Sequence, residues 1–551
     1  MGLRTEILKR ISLIKPRKPK IVSVLIFLII YYILLSISLY KVFEKAGQPA
    51  IHALIPGLNF MTWCKIIGRP KWWAALLLLP IVNIFILAGM NVDMVRSFGK
   101  NSFLDAALAV IYAPISYFMI SGNKDAKYLG PAIIMEKAYM EQIRTAKEQS
   151  NDREYRKLVA NNPYKKGASR EWAEAIIFAV FAAAFIRMFL IEAFVIPTSS
   201  MEGSLLVGDF LFVSKAHYGI RTPMTVLQLP LVHNTVPFLG TESYTKKPKL
   251  GYHRLPSFEN VDRNSPVVFN YPAGDSTIVG PGRNYSLEDL RRYGALNNPQ
   301  FKDLPVRVRP IDKRDHYIKR CIALPGDKME IKDKQVYIND QPAVNPSKLQ
   351  YRYQIGLNGG SMRTEKLEEW GVSLAETRST RNQGDQRIYA LTNKQVEQIK
   401  GMDSNFTVTP IPGNPQREDI LFPHDPKNFP GWTNDNYGPI TLPKAGETVT
   451  VTPNNIELYR RVITAYEGHT LEIKNGRILI DGQPTTTYTF GQDYYWMMGD
   501  NRHNSEDSRV WGYVPEDHIV GKPLFIWFST KNGSIWNGIN WSRIFSSANK
   551  M

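Results

Sequence analysis

The strongest constraint on this chain is a set of long apolar stretches, all within its first 200 residues. Three of them, at 21–40, 72–90 and 173–194, approach the roughly 20 residues that a helix needs to cross a bilayer. A fourth, 103–120, is weaker because it contains Asp105 and Pro114, and it could span, re-enter or lie in the interface. A chain of 551 residues is also too long for one compact core. The sequence therefore predicts a membrane part followed by a separate soluble part.

Charges beside the apolar stretches indicate how the chain is oriented. "KPRKPK" at 15–20 precedes the first stretch and no small-residue cleavage site follows it, so we interpret this stretch as a retained helix. The segment 121–172 carries eleven Lys or Arg, which places it in the cytoplasm by the positive-inside rule. The helix 173–194 would then deliver everything after about residue 195 to the far side. The basic N-terminus also prefers the cytoplasm, which leaves two or three spans for the first 120 residues.

The composition indicates which partners and cofactors to expect. Lys plus Arg outnumber Asp plus Glu by 68 to 50, a formal charge of +18, which suits either nucleic acid or anionic lipid. We favour lipid and expect no nucleic acid, because the basic residues are spread out and no zinc-finger spacing, RNA-binding signature or Arg-rich arm follows residue 200. With Cys64 and Cys321 as the only cysteines, we expect no disulfide framework, no metal and no cofactor.

Beyond residue 200 the pattern becomes β-rich. Short β-branched and aromatic runs such as "SPVVFNYP" and "GRILIDGQPT" are divided by Pro, Gly, Asn and Asp. One helix is predicted at 393–400, where Thr392 can cap, Gln395 completes a capping box and Gly401 supplies the stop.

An internal repeat relates 317–343 to 458–485 when Glu467 is treated as one extra residue. Either the two copies are similar hairpins of one sheet, or a β-module has been duplicated. Lys319 then corresponds to Arg460, and an arginine cannot lose its proton in a protein. Only the first copy could supply a base.

A candidate nucleophile lies where the chain leaves the third apolar stretch, in "IPTSSMEGSLLVGDFLFVSK" (196–215). A serine needs a base and donors for the oxyanion. No Gly-x-Ser-x-Gly elbow surrounds Ser199 or Ser200, so a Ser-His-Asp triad lacks support, and His503 is kept as a minor alternative base. Lys319 in the strand pattern "HYIKRCIAL" is the other candidate, since a buried lysine can serve as a base. On the pattern alone, Lys319 could equally be an ordinary exposed strand lysine.

Four blocks in order resemble the bacterial type I signal peptidases (leader peptidases), the membrane-bound Ser-Lys proteases. The blocks are "FVIPTSSMEGSLLVGDFLFVSK", "SPVVFNYP", "YIKRCIALPGDKMEI" and "MMGDNRHNSEDSRVWGYVP". The last block is highly specific. The resemblance covers most of 173–345 and 446–525, and it leaves the first 170 residues and 346–445 unexplained.

The resemblance implies a catalytic role for each matching residue. Ser200 would be the nucleophile and Lys319 the general base, with the Thr198 hydroxyl and the Ser200 amide as oxyanion donors. Ser505 would orient the lysine, whereas the supporting roles of Asp507, Arg509 and Arg320 would be structural, the first two as an ion pair.

The resemblance also implies pockets that accept alanine one and three residues before the cut. The residues that match the lining of the first pocket are Ile196, Leu205, Tyr317 and Ile318, and those near the second are Phe194 and Leu211.

Departures from the family pattern limit which residue roles can be transferred to this chain. Gly203 and Ser204 stand where the family usually has Pro-Thr, and His503 occupies a position that is often acidic. The interval between Ser200 and Lys319 is also longer than usual.

The expected fold is a set of N-terminal transmembrane helices followed by a mainly β extracytoplasmic domain, a signal-peptidase-type β-fold with an inserted second β subdomain. The predicted divisions are a membrane domain (1–120), a cytoplasmic basic helical segment (121–172), a spanning helix (173–194), the first part of the catalytic core (195–345), an inserted β subdomain with the repeat-like hairpin (346–490), and the rest of the core with a tail (491–551).

The expected function is that of a multi-pass enzyme of the bacterial inner membrane, with its catalytic domain on the periplasmic side. It would cut signal peptides of the Ala-x-Ala type from exported precursors, in contact with lipid, and a secretion translocon is left open as a partner. The alternative is a catalytically inactive or specialised envelope protease or scaffold of the same fold. A self-cleaving repressor would lack spanning helices, and a β-lactamase-type enzyme would need a Lys-Thr-Gly motif, which the chain lacks.

Overall fold

The computed structural model describes residues 21–549 except for short gaps at 78–81, 166, 226–227, 233, 237–238, 240, 248, 280–283, 293, 296–297, 303, 374–384 and 414–419. The basic run at 15–20 lies outside the described residues. The described chain forms two compact units, one within 19–181 and one within 182–551.

The first unit is helical. Its helices are α1 (Ile21–Lys45), α2 (Leu58–Ile67), α3 (Trp73–Leu76), α4 (Val82–Arg96), α5 (Phe103–Gly122), α6 (Ala132–Glu148) and α7 (Asp152–Ala160). Leu39, Trp63, Met94 and Tyr117 are among its fully buried residues, and Tyr117 Oη donates to Asn91 Oδ1 at 2.6 Å. Helix α5 is kinked at Tyr112, two residues before Pro114, because proline removes a backbone donor and crowds the preceding turn.

Two described helices are long and apolar enough to cross a membrane, Phe103–Gly122 and Glu171–Phe189. The first is the stretch that the sequence marked as weaker. The predicted stretch 21–40 lies within α1. The stretch 72–90 contains the short α3 and most of α4, and residues 78–81 between them lie outside the described residues. The number and direction of the spans stay predictions.

The helix predicted at 173–194 ends earlier than expected. Helix α8 (Ala168–Phe189) is followed directly by strand β1 (Ile191–Val195), so Phe194 belongs to a strand. Lys215 Nζ donates to the carbonyls of Arg187 and Met188 at 2.9 and 3.4 Å, and a cation at this end of a helix is favourable. This cap and the pairing of β1 with the strand Asp209–Ser214 together end the helix at Phe189.

The second unit is built on a seven-stranded sheet, which confirms the mainly β prediction for the region beyond residue 200. Its strands, in spatial order, are β1, β2 (Asp209–Ser214), β22 (Ile519–Ser529), β3 (Pro266–Asn270), β7 (His316–Ala323), β20 (Tyr494–Met498) and β21 (Val514–Pro515). Every residue of β3 is buried, as expected for a central strand. Val267 packs with Cys321 and Trp511 on one face, whereas Val268 packs with Ile196 on the other.

Smaller sheets surround this one. They are β10 (Gln341–Pro342), β9 (Gln335–Ile338), β8 (Lys328–Lys332) and β14 (Tyr437–Thr441); β12 (Gln386–Leu391), β11 (Tyr351–Gly356) and β13 (Thr407–Pro410); β15 (Thr448–Thr450) and β19 (Thr487–Thr489); β16 (Leu471–Lys474), β17 (Arg477–Ile480) and β18 (Gln483–Pro484); and β5 (Asn284–Ser286), β4 (Ser276–Val279) and β6 (Val306–Val308). The remaining helices are α9 (Leu287–Arg292), α10 (Pro299–Lys302), α11 (Thr364–Glu369), α12 (Asn393–Lys400), α13 (Ile456–Arg461) and α14 (Ser508–Trp511).

Helix α12 confirms the helix predicted at 393–400. Thr392 Oγ1 accepts from the Gln395 amide at 3.3 Å, Gln395 Oε1 accepts from the Thr392 amide at 2.8 Å, and Gly401 is the C-cap. The signals that define this helix are local, so the sequence alone determines its ends.

The internal repeat is present in its hairpins but not in its first element. Strands β8, β9 and β10 pair in the same register as β16, β17 and β18: Glu330 opposes Tyr337, and Glu472 opposes Leu479. The hairpins lie in different sheets, so the alternative of two hairpins in one sheet is wrong. The residues before them differ, since 317–323 lie in strand β7 whereas 458–464 are helical. Arg460 therefore lies on a helix, whereas Lys319, which corresponds to it in the repeat, lies in a strand of the main sheet.

Glu192 on β1 joins the end of α8 to strand β2. It is 7% exposed, and its carboxylate pairs with Lys215 and Arg187, each at 2.8 Å. Burial alone would raise the pKa of Glu192, but the charges of Lys215 and His316 and the hydrogen bond from Lys215 outweigh it and lower this pKa to about 2.

Replacing Glu192 by Gln should lower the free energy of unfolding by about 3–5 kcal/mol, because Lys215 would stay buried without its counter-charge. Thermal or denaturant unfolding of the full chain in detergent measures this loss. The exposed Glu397→Gln is the matched control and should change stability little.

The pH dependence gives a second readout of the same substitution. Since the folded pKa of Glu192 is depressed, its contribution is complete above about 4.5 and is lost as the pH falls towards about 2. The Glu192→Gln variant should lack that part of the acid destabilisation. A variant that loses stability with acid as steeply as the wild type would contradict this role.

Candidate active site

Ser200 is held in a short turn between β1 and β2. After β1, the amide of Ile196 donates to the Asp209 carbonyl at 2.9 Å, and residues Ser199–Met201 then form a single 3-10 turn. The loop after β20 fixes this turn from the other side. There Asn501 N donates to the Ser200 carbonyl at 3.1 Å, and Asn504 Nδ2 donates to Ser199 Oγ at 3.0 Å. The serine is therefore fixed by segments about 300 residues apart in the chain.

Lys319 approaches Ser200 from the central strand β7, which lies between β3 and β20. Its Nζ donates to Ser200 Oγ at 2.6 Å and to the Ile318 carbonyl at 3.0 Å. Only 3% of Lys319 is exposed, so the alternative of an ordinary exposed strand lysine is wrong. The Tyr317 ring lies 5.6 Å from the ammonium.

Burial lowers the pKa of Lys319 to about 8, against the opposing influence of the carboxylates of Asp507, Glu506 and Asp500. Desolvation disfavours an ammonium, and here it outweighs three negative charges. A lysine with this pKa is partly neutral near pH 7, and its lone pair can accept the proton of the Ser200 hydroxyl. The pair can therefore generate a nucleophilic alkoxide without a histidine.

Two buried ion pairs hold the walls of the site. Arg509 binds Asp507 at 2.8 Å, and Arg320 binds both carboxylate oxygens of Asp500 at 2.7 and 2.6 Å. Arg320 also donates to the Asn264 carbonyl and, at 3.3 Å, to Ser204 Oγ. These bonds tie β7, the loop after β20 and the turn after Ser200 into one network.

Ser505 lies beside this network, and its role as the group that orients the lysine stays a prediction. Ser505 lines the same cavity as Lys319, and its buried hydroxyl has no hydrogen-bond partner among the described residues. Burial alone would raise the pKa of Asp507, but the charge of Arg509 and the hydrogen bonds that Asp507 accepts together lower it. Among the described residues, the two hydrogen bonds of Lys319 Nζ go to Ser200 and to the Ile318 carbonyl. The Ile318 carbonyl was not foreseen from the sequence, because a backbone acceptor leaves no residue pattern.

His503 lines the site, but both of its ring nitrogens have other partners. The Arg352 amide donates to Nδ1 at 3.3 Å, so Nε2 carries the proton and donates to Asp435 Oδ1 at 2.6 Å. A neutral imidazole in this tautomer has no free lone pair for the Ser200 proton. The geometry therefore favours Lys319 over His503 as the base.

An apolar cavity of about 250 Å³ opens on one side of Ser200. Five of the six residues predicted to bind substrate line it, namely Phe194, Ile196, Leu211, Tyr317 and Ile318. Leu205 is fully buried and packs against Ile196 and Leu211 behind the wall. Its role is therefore to support the cavity from behind.

A second cavity of about 540 Å³ opens on the other side and is more polar. Thr198, Ser200, Tyr317 and Lys319 line both cavities, so the dyad lies where the two meet. Thr198 is exposed beside Ser200, and the amides at the start of a helical turn have no partner within the turn. Thr198 and Ser200 thus both line the cavities, and their role as oxyanion donors stays a prediction.

Two glycines explain why the loops pack so closely. A Cβ on Gly499 would lie 2.5 Å from the Ser200 carbonyl and 2.3 Å from Ser505 Oγ. Gly203 has a φ of +94°, which proline cannot adopt, and a Cβ there would lie 2.6 Å from the Lys348 carbonyl. Glycine at 203 in place of the usual proline therefore lets the segment that contains Lys348 pack against the nucleophile turn.

The asparagines that fix the serine turn and the aspartate that pairs with Arg320 were not predicted from the sequence. Asn501, Asn504 and Asp500 all lie in "MMGDNRHNSEDSR", the block that was already the most specific of the four. Its run of short polar side chains was the available signal, since such residues hydrogen-bond to backbone in loops.

Comparison with known proteins shows what these residues are similar to. A family model described as signal peptidase, peptidase S26, matches residues 169–373 and 485–528, which include Ser200, Lys319 and Ser505. A second model, described as a family of unknown function, matches residues 51–131.

Curated relatives match over about two thirds of the chain. The signal peptidase I of Buchnera aphidicola subsp. Acyrthosiphon pisum is 27% identical over 68% of this chain and 80% of that protein. The signal peptidase I of Haemophilus influenzae is 27% identical over 67% of this chain and 74% of that protein. The signal peptidase I of Rickettsia massiliae is 23% identical over 66% of this chain and 82% of that protein. These matches confirm the predicted resemblance to the type I signal peptidases, and the chain is a serine endopeptidase.

Proposed function

We propose that this protein is a membrane-bound endopeptidase that removes signal peptides from exported precursors with a Ser200–Lys319 dyad. The observation that carries the proposal is the 2.6 Å contact between Lys319 Nζ and Ser200 Oγ in a buried site. Because burial of an ammonium costs free energy, the contact between the lysine and the serine is not explained by the stability of the fold. The contact also argues against the alternative of an inactive scaffold.

The reaction begins when neutral Lys319 takes the Ser200 proton as Oγ attacks the carbonyl carbon of the scissile bond. The Thr198 hydroxyl and the Ser200 amide donate to the oxyanion. Lys319 then gives the proton to the leaving amine, and the C–N bond breaks to leave an acyl-serine. A water molecule, deprotonated by Lys319, attacks the ester carbonyl carbon. The bond from that carbon to Ser200 Oγ then breaks, Lys319 returns the proton to Oγ, and the signal peptide leaves with a free carboxylate.

The apolar cavity accounts for substrate choice. Its small volume and its lining by Ile196, Tyr317 and Ile318 suit a methyl group better than a long or charged side chain. Phe194 and Leu211 lie further along the same cavity, where the third residue before the cut would bind. Alanine at both positions is the expected requirement.

Attachment to the cytoplasmic membrane follows from the chain path in this proposal. Helix α8 leads within a few residues to β1 and Ser200, and the catalytic unit would lie on the extracytoplasmic side. Exposed Trp536, Trp541 and Phe545 provide an apolar surface suited to lipid. Cleavage of an exported precursor by the purified full chain in detergent, with Ser200→Ala alongside, tests the proposal.

Ser200→Ala, Lys319→Ala and Lys319→Arg should each abolish cleavage, because nucleophile and base act as one unit. Arginine keeps the charge but cannot accept a proton. Turnover of a fluorogenic precursor peptide measures the loss, and circular dichroism checks that each variant is folded. Substantial activity in any folded variant of these three would remove the dyad from the mechanism.

Thr198→Val should reduce kcat roughly 10- to 1,000-fold with little change in KM, since it removes one oxyanion donor and keeps the β-branched shape. Thr198→Ser is the matched control and should retain most of the activity. Steady-state kinetics separates the two parameters. A near wild-type kcat in the valine variant would mean that other groups build the oxyanion hole.

Activity should rise with pH through an apparent pKa near 8, because Lys319 must lose its proton to act as the base. Glu506→Gln should move the ascending limb to lower pH, since the Glu506 charge favours the ammonium. The pH profile of kcat measures the shift, and the distant Glu397→Gln is the control. An ascending limb near 6.5, abolished by His503→Ala and unmoved by Glu506→Gln, would instead make histidine the base.

A further inference from the structure

The larger, polar cavity beside Ser200 has no part in recognising the signal peptide. If the residues before the scissile bond occupy the apolar cavity, the chain after that bond must leave Ser200 through the polar one, since the two meet at Ser200 and Lys319. Arg352, Leu421, His503, Asn504 and Glu506 are among the residues that line it. This surface is therefore placed to contact the first residues of the released mature protein.

Arg352 is fixed in this cavity by its backbone. It is the second residue of strand β11, where it opposes Ala390 of β12, and its amide donates to His503 Nδ1 at 3.3 Å. Its carbonyl accepts from the Ile411 amide at 2.9 Å. The preceding Tyr351 is buried with its ring 5.1 Å from that of His503. The module of β11, β12 and β13 thus presents Arg352 at a defined position.

The guanidinium of Arg352 has N–H donors that the described residues do not use and that a ligand could therefore occupy. It donates to Asn504 Oδ1 at 3.4 Å, a long bond, and within the described ranges it forms no ion pair. Arg320 and Arg509 differ in this respect, because they are bound to Asp500 and Asp507, respectively. Arg352 is half-buried, so water competes with a ligand less than it would at an open surface.

We propose that Arg352 is a specificity-determining residue that binds a carboxylate side chain of the substrate within the first three residues after the cut. The planar fork of a guanidinium matches a carboxylate, and the charged pair is stronger than a neutral hydrogen bond. This inference rests on the proposed function and adds a preference on the mature side of the scissile bond.

The test uses precursor peptides that share one signal peptide and differ at a single position. At each of the first three positions after the cut, the residue is Asp, Asn or Lys. For the wild-type full chain in detergent, kcat/KM should be about 5- to 20-fold higher for Asp than for Asn at one of these positions, which is the size of effect of a hydrogen bond between charged groups. The ratio should fall as salt is added.

Variants of the enzyme then assign the preference to one side chain. Arg352→Gln should bring the Asp-to-Asn ratio to about one, and Arg352→Glu should make Lys the better substrate. Arg387→Gln, on the neighbouring strand β12 and not among the residues that line the cavity, is the matched control and should keep the wild-type ratio.

The outcomes separate this inference from the proposed function. Cleavage of all substrates with a wild-type ratio near one at every position would overturn the role of Arg352 and leave the peptidase intact. A ratio that persists in Arg352→Gln would overturn it too. Failure of the wild type to cleave any of the peptides would instead count against the proposed function. Because the wild-type comparison varies only the substrate, it does not depend on how the variants fold.

Discussion

The site depends on keeping one ammonium group out of water while a hydroxyl touches it. Lys319 is 3% exposed on the central strand of the main sheet, and the resulting desolvation lowers its pKa towards neutrality although three carboxylates lie nearby. Two of those carboxylates are held by arginines, Asp507 by Arg509 and Asp500 by Arg320. The ion pairs therefore fix the loops without surrounding the lysine with unopposed negative charge, which would return its pKa to the ordinary range.

The same arrangement divides the surface around Ser200 into two regions with different chemistry. The apolar cavity is lined by residues of β1, β2, β3 and β7, which are strands of the main sheet. The polar cavity is bordered by β11 and by the loop after β20, and β11 belongs to a sheet with its own small core of Ile355, Leu391 and Ile399. The first region would thus recognise the part of the substrate that all precursors share, and the second the part that varies.

The features that local signals or motifs encode could be predicted from the sequence. The features that depend on residues distant in the chain could not. Helix α12 was predicted with its caps because Thr392, Gln395 and Gly401 are sufficient to define it. Ser200 and Lys319 were paired through motifs, although 119 residues separate them. The pairing of His503 with Asp435 could not be foreseen, because the two lie 68 residues apart and Asp435 belongs to no motif. The early end of α8 depends on the side chain of Lys215, which reaches back from β2.

The two copies of the repeat have a consequence for the order in which the protein is made. Related sequences form a strand at 317–323 and a helix followed by a π-turn at 458–466, so the strand conformation of β7 is imposed by its neighbours β3 and β20. Strand β20 begins only at Tyr494, near the end of the chain. A ribosome must therefore complete most of the polypeptide before β20 can support the strand that carries Lys319.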